Sequence, residues 1–368
     1  MRLRALLVVC LGVVLGVAAA AEQRWDSIRG AIEKAEPPGP QWFTLRSGHT
    51  GHVLDAATGQ SHGTLTLSLF SPALRPHVDH GMVYTYGSFY SRTYYGDRTD
   101  AVIFFDLETM SPVDEVIIPA KAAGIGHSGM IGLIDDRFIG VWNITPAMSV
   151  SIVDIEERSF VGEISTPGCA TVYPQDRGFL MICGDGALQY IMLDESGAES
   201  GRLRSPVFFS VEDDPIFDYS VPTEHGWVFV SLEGHVFEAR IEDDEIVIEE
   251  SWSVLSEQDR AEGWRISGRQ PFAYNEATGI FMTLMHQGGT QDNYKDPGTE
   301  LWAFNLRTQR RGYRVELDNP SRNIALTRDD DPVALVVGTQ ERSVAVRHAR
   351  TGRLVRTIEE AGGLVQVF

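Results

Sequence analysis

The sequence is poor in cysteine and in basic residues, and it contains only one long apolar run. Three cysteines in 368 residues are too few for a disulfide-rich scaffold. Lysine and arginine number 31 against 51 aspartates and glutamates, which gives a formal net charge of −20. A chain this acidic repels nucleic acid and anionic lipid headgroups, and we expect neither as a partner.

The signature motifs of common catalytic folds are also missing. The sequence has no Gly-x-Ser-x-Gly elbow, no Walker phosphate loop and no dinucleotide fingerprint. Its 10 histidines raise the question of a metal, and the closest pairs are His49 with His52 and His77 with His80. A two-residue gap in strand or loop context does not set a tetrahedral site. We therefore expect no catalytic, cofactor-binding or metal-binding residue on this chain.

The one long apolar run indicates a targeting segment at the N-terminus. Arg2 and Arg4 precede the apolar stretch 5–17, and alanines at 18–20 offer a small-residue cleavage site. This pattern is typical of a Sec-type signal peptide over residues 1–20 and is too short for a spanning helix. We expect cleavage to leave an exported, periplasmic protein with no membrane segment. Removing the two arginines leaves 29 basic and 51 acidic residues, a formal net charge of −22.

Cleavage also removes Cys10 and leaves two cysteines, Cys169 and Cys183. In an oxidising compartment an even pair most simply forms a disulfide, and two buried free thiols are the alternative. The spacing suits the ends of two adjacent antiparallel strands that turn between Gln175 and Gly178. Such a bond closes a loop of about 15 residues, worth about 3 kcal/mol in the chain-entropy model.

A strand–turn–strand unit recurs along most of the chain. In the clearest copy an apolar run, Val102–Phe105, ends in the turn Asp106–Thr109, and a second alternating run closes on Pro119. Asp and Thr side chains bond their own backbone in tight turns, and β-branched and aromatic residues suit a pleated sheet. The seven copies cover residues 53–67, 101–119, 151–164, 190–203, 238–250, 303–317 and 345–358.

This recurrence predicts an all-β fold, a seven-bladed β-propeller over residues 41–368. Asp55 and His348 occupy equivalent turns six repeats apart, so the period is about 49 residues, a spacing typical of propeller blades. The loose register of the fourth and fifth copies leaves six or eight blades open. Propellers close by pairing strands from both chain ends, so we expect the C-terminal run GGLVQVF to join the first blade near Val53.

Some segments stand apart from the repeat. Residues 21–40 are predicted to form a short N-terminal helical arm, ended by prolines, that grips a partner; a frayed leader is the alternative. A short helix is expected at 256–262, with Ser256 as its N-cap. The polar stretch 286–300 is expected to be a long loop, and such loops on rigid scaffolds often carry function. Most aromatic residues of 82–95 are expected to pack in blade cores.

Several stretches are more specific than the repeat. They are Ser91-Arg92 with Gly96–Asp100, the segment Cys169–Gly186, Leu255–Glu257 running into Ala261–Arg265, Ala273-Tyr274, and Lys295–Trp302. Together they resemble the heavy, β-propeller subunit of the periplasmic quinoprotein amine dehydrogenases, of methylamine or aromatic-amine type. Residues 44–52 are shorter than the family's segment near the substrate entrance, so no gate residue is carried over.

The resemblance implies a heavy subunit that pairs with a small, cysteine-rich light subunit, as two heavy and two light chains. It implies that the light chain carries tryptophan tryptophylquinone, made from two of its own tryptophans, and the catalytic base. The light chain would oxidise a primary amine to an aldehyde and ammonia, with electrons passing to a small blue-copper protein. The heavy chain would hold the light chain and wall the substrate channel. We expect light-subunit contacts at Trp264, Arg265, His286, Tyr294 and Lys295.

Two hypotheses from other classes stay open. The first is a stand-alone periplasmic propeller that binds a partner or ligand without a light subunit. The second is a propeller enzyme with its own metal, such as a lactonase, and the scattered histidines speak against it.

Overall fold

The computed structural model describes residues 34–70, 73–359 and 361–368. Within these ranges no helix is long and apolar enough to cross a bilayer. The expected signal peptide and most of the expected arm (21–40) lie outside the described residues. The described part of the arm, residues 34–40, contains no helix, so the helical arm is not supported.

Antiparallel strands make up nearly all of the regular structure from Pro37 to Phe368. The first sheet contains β1 (Trp42–Ser47), β2 (Thr50–Asp55), β3 (Ser61–Thr66) and the C-terminal β29 (Leu364–Val367). The second contains β4 (Arg75–His77), β5 (Met82–Arg92), β6 (Tyr95–Asp106) and β7 (Ser111–Ile118). The third contains β8 (Ile131–Ile134), β9 (Phe138–Asn143), β10 (Ser149–Asp154) and β11 (Ser159–Ser165).

Three more sheets complete the fold. The fourth contains β12 (Cys169–Gln175), β13 (Gly178–Cys183), β14 (Leu188–Leu193) and β15 (Glu199–Arg204). The fifth contains β16 (Val221–Pro222), β17 (Gly226–Val230), β18 (His235–Glu242), β19 (Glu245–Ile248) and β20 (Trp252–Ser253). The sixth contains β21 (Trp264–Ile266), β22 (Phe272–Asn275), β23 (Ile280–Gln287), β24 (Gly298–Asn305), β25 (Arg310–Leu326), β26 (Val333–Gly338), β27 (Ser343–His348) and β28 (Leu354–Glu359).

The fold is an all-β propeller, but its hydrogen-bonded sheets do not number seven. Five sheets of four or five strands are separate blades, whereas β21 to β28 form one continuous eight-stranded sheet. The cause is β25, which pairs with β24 mainly through 310–316 and with β26 through 321–326. The short connector 318–320 stays extended, so no break separates the last two repeats. The expectation of seven separate blades is wrong.

All seven sequence copies nevertheless form hairpins. They are the pairs β2–β3, β6–β7, β10–β11, β14–β15, β18–β19, β24–β25 and β27–β28. In the clearest copy the Asp106 carboxylate accepts hydrogen bonds from the Thr109 backbone N–H at 2.8 Å and the Thr109 hydroxyl at 2.5 Å. The Thr58 hydroxyl donates to Asp55 in the same way at 2.8 Å. The turn chemistry predicted from the sequence is confirmed.

The two ends of the chain meet in the first sheet. Phe43 pairs with Val367, and Leu45 pairs with Val365. The C-terminal strand therefore pairs with β1, and the expected partner around Val53 lies one strand further out, in β2. Both Leu45 and Val365 are fully buried, so this junction is part of the core.

The innermost strands surround a central axis. Cross-sheet hydrogen bonds link them: the Leu74 N–H donates to Gln366 at 2.6 Å, and the Asn323 amide donates to the Gly363 carbonyl at 2.8 Å. Neighbouring strands are antiparallel, so three kinds of segment lie on one face of the propeller. They are the starts of the innermost strands, the turns between the second and third strands of a sheet, and the connectors between sheets. We call this face the upper face.

One α-helix occurs among the described residues, α1 (Glu257–Ala261), in the connector before β21. The Ser256 hydroxyl caps it by accepting from the Asp259 N–H, and the Asp259 carboxylate accepts from the Ser256 N–H in return. The predicted helix and its cap are confirmed. The expected long loop at 286–300 is shorter, because β23 runs to Gln287 and β24 begins at Gly298.

Candidate functional site

Exposed apolar side chains gather on the upper face around the second and third sheets. We define an apolar patch there by six residues: Leu69, Phe89, Tyr94, Tyr95, Ile125 and Ile144. All six lie in connectors or near strand turns rather than in the middle of a blade. Apolar patches on the surface of soluble proteins commonly mark interaction sites.

Half of the apolar patch lies on a two-stranded arm formed by the far ends of β5 and β6. The outer strand β7 covers β6 only from Asp100 onward, so residues 89–99 pair only with one another. Tyr94 and Tyr95 at its tip are 65% and 60% exposed. A two-stranded ribbon alone is marginally stable in water, which favours a second surface that covers this arm.

The rest of the apolar patch is continuous with the arm. The Phe70 ring lies 5.6 Å from the Tyr90 ring, edge to face, and links the first connector to the arm. The Ile144 N–H donates to the Lys121 carbonyl at 3.4 Å, which joins the third sheet to the connector that carries Ile125. The upper ends of two sheets therefore share one surface.

Arg46 is a cation beside the apolar patch. Its Nη2 donates to the Leu69 carbonyl at 3.1 Å, and its buried Nε has no hydrogen-bond partner among the described residues. Burial lowers the pKa of Arg46, and the nearby Tyr86 works against that shift. Among the described residues, the side chain of Arg46 donates a hydrogen bond only to this backbone carbonyl. Its charge is therefore complementary to a protein that presents a carboxylate.

A buried ion pair fixes the base of the arm. Arg98 donates to both carboxylate oxygens of Asp100, at 2.7 and 2.8 Å, and to the Ala122 carbonyl at 2.6 Å. Asp100 is fully buried and accepts from the Ala122 N–H at 2.9 Å. The arm and the connector below Ile125 are thereby held as one unit, and bidentate charged pairs of this kind are geometrically specific.

Polar side chains meet at the axis. The Tyr173 hydroxyl donates to the Asp218 carbonyl at 2.5 Å, and the Gln270 amide donates to the Tyr219 oxygen at 3.1 Å. His127 accepts from a backbone N–H through Nδ1, so its neutral ring carries the proton on Nε2, 3.5 Å from the Asp218 carboxylate. These groups come from β12, from the connectors that lead to the third and fifth sheets, and from the segment between β21 and β22.

Three of these axial groups, Tyr173, Asp218 and Tyr219, have shifted pKa values. Burial opposes ionisation of Asp218, but the hydrogen bond from His127 and the charge of Lys295 outweigh it and lower its pKa. Burial raises the pKa of Tyr219 to about 12, against the influence of Gln270 and Arg75. Burial also raises the pKa of Tyr173. The axis is therefore a polar site with one ionised carboxylate and two neutral phenols.

The five residues predicted to contact a light subunit lie close together at the upper end of the sixth sheet. Arg265 and His286 are register partners on β21 and β23, and the Tyr294 carbonyl accepts from the Gly268 N–H at 2.8 Å. The Lys295 ammonium lies 4.9 Å from the Tyr294 ring centroid. Trp264 is buried and packs inward. Contact of all five with a light subunit stays a prediction.

Trp264 forms a tryptophan pair with Trp302 that does not fit a quinone open to substrate. Their ring centroids are 5.5 Å apart, and both side chains are buried. The Arg314 guanidinium covers both rings, at 4.8 Å from Trp264 and 4.3 Å from Trp302, and Arg311 lies 4.6 Å from Trp302. These four side chains form a packing cluster in the blade core.

The two cysteines form the expected bond. Cys169 and Cys183 are register partners at the ends of β12 and β13, and their sulfurs are bonded. Arg204 lies beside them, with Nη1 3.4 Å from the Cys183 sulfur, and it pairs with Asp185. Among the described residues no group of three or more His, Cys, Asp and Glu side chains is placed to hold a metal.

The apolar patch is not predicted by the sequence. The expectation that most aromatic residues of 82–95 pack in the core is confirmed for Tyr84 and Tyr86 and is wrong for Phe89, Tyr94 and Tyr95. The length of the β5 and β6 strands was the signal that could have indicated the patch. The β5–β6 hairpin extends past its neighbours, and aromatic residues near its tip have no second sheet to pack against.

The match to known relatives covers most of the propeller. The methylamine dehydrogenase heavy chain family model matches residues 48–368. The methylamine dehydrogenase heavy chain of Methylophilus methylotrophus is 25% identical over 279 residues, covering 74% of this chain and 68% of that protein. The heavy chain of Paracoccus versutus is 25% identical over 335 residues, covering 86% of this chain and 74% of that protein.

Solved structures share the architecture. Dihydro-heme d1 dehydrogenase NirN in complex with DHE gives a TM-score of 0.57 at 13% identity, covering 90% of this chain and 75% of that chain. The Cps50 (Swd1) β-propeller domain of Myceliophteria thermophila gives 0.55 at 11% identity, covering 86% and 91%. At such identities the likeness concerns the fold alone.

Proposed function

Because the chain belongs to the methylamine dehydrogenase heavy chain family, we propose that it is the heavy subunit of a periplasmic amine dehydrogenase. The match over residues 48–368 carries the proposal, since it includes nearly all of the propeller rather than one motif. The signal-like residues 1–20 support export to the periplasm. In this role the chain is a scaffold for a light subunit.

The proposal divides the chemistry between two chains. Oxidation of a primary amine to an aldehyde and ammonia belongs to a tryptophan tryptophylquinone and a catalytic base on the light subunit, in a complex of two heavy and two light chains. Electrons then pass to a small blue-copper protein. The heavy chain contributes binding surface and a wall to the substrate channel.

We place the light subunit on the upper face, over the apolar patch and Arg46. The protruding arm offers two tyrosines with large contact area and little rotamer entropy to lose, which is the composition of binding hot spots. Arg46 gives the same surface an unpaired charge for a carboxylate of the partner. The predicted contacts lie at the upper end of the sixth sheet, on the same face; they are Trp264, Arg265, His286, Tyr294 and Lys295.

Purification from the native host tests the assignment. We expect a tagged chain to bring down a smaller, cysteine-rich polypeptide that shows quinone absorbance and reduces a dye when a primary amine is added. A colourless chain that purifies alone would contradict the proposal and favour the stand-alone binding propeller.

Variants test the docking surface. We expect the double variant Tyr94→Ser and Tyr95→Ser to retain the light subunit at least tenfold less well, because it removes the two most exposed aromatic rings of the apolar patch. The matched control is Val113→Ser with Ile117→Ser, on the exposed outer strand β7 of the same sheet. Equal light-subunit yield from both double variants would place docking elsewhere.

A further inference from the structure

A groove lies between the fifth and sixth sheets. It consists of two cavities of about 320 and 360 Å³, which share Glu238, Arg240, Leu306 and Arg307 among their lining residues. One wall is β18, and the other wall is formed by the end of β22 and the turns that follow β22 and β24. Volumes of this size are typical of small-molecule sites.

The groove lies on the face of the propeller opposite the upper face. Its lining includes Thr223, Glu276 and Arg307, which belong to the turns β16–β17, β22–β23 and β24–β25. These turns join first to second or third to fourth strands, so they lie at the strand ends away from the upper face. The Glu224 N–H donates to the Glu276 carboxylate at 2.9 Å and fixes the two walls relative to each other.

Glu238 places a carboxylate on a mostly apolar side of β18. Side chains alternate along this strand: Phe237 and Ala239 pack in the core cluster shared with the fourth sheet, and Val236 packs in the cluster shared with the sixth. Glu238 lies two residues from Val236 and therefore faces the sixth sheet as well. Its side chain is partly buried and lines both cavities.

The Glu238 carboxylate is unpaired. Among the described residues it accepts no hydrogen bond and forms no ion pair. Burial raises the pKa of this carboxyl group, the neighbouring carboxylates of Glu249 and Glu276 raise it further, and the charge of Arg240 opposes the shift. A partly buried carboxylate without a donor is costly unless a cation compensates it.

The two arginines of the groove already have partners. Arg240 donates to Glu242 at 3.0 Å and to Glu249. Arg307 donates to the Glu276 carbonyl at 2.7 Å and to the Glu276 carboxylate at 3.2 Å. The whole groove is lined by five glutamates and two arginines, so its net charge is negative. A cationic ligand therefore complements it.

Aromatic and aliphatic side chains accompany the unpaired charge. Tyr274 and Leu306 line the same cavity as Glu238, and Trp252 lines the adjoining one. The Tyr274 hydroxyl donates to the Glu276 carboxylate at 3.3 Å, which holds the ring in place. Aromatic rings attract cations through their faces, and apolar walls suit a short alkyl chain.

We propose that the groove between the fifth and sixth sheets binds a small organic cation that carries N–H donors, an alkylammonium or alkylguanidinium ion. Its cationic group donates to the Glu238 carboxylate, and its alkyl part lies against Tyr274 and Leu306. Charge-assisted hydrogen bonds of this kind are among the stronger ones in proteins. The site goes beyond the proposed function, because it lies on the face opposite the apolar patch and the predicted light-subunit contacts.

Calorimetric titration of the full chain tests the site. n-Butylammonium chloride and, separately, n-butylguanidinium chloride are titrated into the protein, with butan-1-ol as the neutral probe of the same chain length. We expect one saturable site for at least one cation, and binding of butan-1-ol that is about tenfold weaker or absent. The cation that binds more tightly identifies the charged group. Absence of saturable binding by both cations, or equal binding of butan-1-ol, would overturn the proposal.

Two matched pairs of variants locate the site. Glu238→Gln should weaken binding of the cation about tenfold, because it removes the unpaired charge. Its control is Glu245→Gln, which changes an exposed glutamate on β19 of the same sheet and should bind like the wild type. Tyr274→Leu should weaken binding about threefold to tenfold, and Tyr274→Phe, which keeps the ring, should not. Equal affinity of the two members of either pair would refute the site.

Thermal unfolding supplies an independent measurement. Without ligand, Glu238→Gln should melt at or above the wild-type temperature, because it removes an unpaired carboxylate beside Glu249 and Glu276. The cation that binds should raise the melting temperature of the wild type and leave that of the variant unchanged. A variant that melts earlier without ligand would assign the Glu238 carboxylate a structural role and refute the site.

Discussion

Asp259 shows how a single carboxylate can organise one edge of the sixth sheet. It is almost fully buried, caps α1 through Ser256, and accepts from Arg311 at 2.8 Å and Arg314 at 3.4 Å. The same two arginines cover the Trp302 ring. One side chain thus joins helix capping, ion pairing and aromatic packing.

We expect Asp259→Asn to destabilise the propeller by about 2 kcal/mol. Removing one partner of a buried ion pair leaves charge uncompensated, and the partial exposure of both arginines reduces that cost. Urea unfolding followed by tryptophan fluorescence measures the difference. Glu257→Gln, at an exposed position of the same helix, is the matched control and should change stability by less than about 0.5 kcal/mol. If both variants lowered the free energy of unfolding equally, Asp259 would have no special role in stability.

The same carboxylate predicts a dependence on pH. Burial opposes ionisation of Asp259, but hydrogen bonds from Ser256 and Arg311 outweigh it and lower its pKa. A lowered folded pKa contributes stability that is complete above the unfolded value of about 3.9 and is lost as pH falls through the folded value. The stability gap between wild type and Asp259→Asn should therefore narrow below about pH 4. A gap that widens in acid would contradict this assignment.

At the scale of elements, the fourth sheet depends on a cross-link between its two inner strands. Replacing Cys169 and Cys183 together by serine should lower the free energy of unfolding by about 3 kcal/mol, because a loop of about 15 residues is released in the unfolded chain. Chemical unfolding of wild type and double variant checks this. Reductant should lower the wild-type midpoint and leave the variant unchanged. A double variant as stable as the oxidised wild type would show that strand pairing alone holds β12 against β13.

At the scale of elements, the sequence predicted turns, the helix cap and the disulfide better than it predicted where strands begin and end. The Asp106–Thr109 turn, the Ser256 cap and the cysteine pair depend on residues close in sequence or on a known redox rule, and all three were identified. The continuity of β25 was not, because whether 318–320 breaks a strand depends on sheets that pack around it. The apolar patch was also not predicted. The sequence shows an aromatic residue at 94 or 95 but does not show whether other strands cover its hairpin or the hairpin projects from the sheet.

For the whole molecule, closure of the ring is the feature on which every site above depends. The axis exists only if β29 pairs with β1, so that the sixth sheet is held next to the first. The sequence predicted this closure from the two apolar ends of the chain and misplaced the partner by one strand. Both β1 and β2 contain buried apolar residues, so the sequence alone does not tell which of the two pairs with the C-terminal strand.

Val365 provides the test of closure. It is fully buried opposite Leu45, so Val365→Asp places an unpaired carboxylate in the junction and should cost about 4 kcal/mol. The control, Val355→Asp, makes the same change on the outer strand β28, where the side chain is 43% exposed, and should be close to neutral. Because an open ring frees both chain ends, limited proteolysis should cut the Val365 variant first near β1 and β29. If the two variants unfold at the same urea concentration, the terminal strands do not hold the propeller closed.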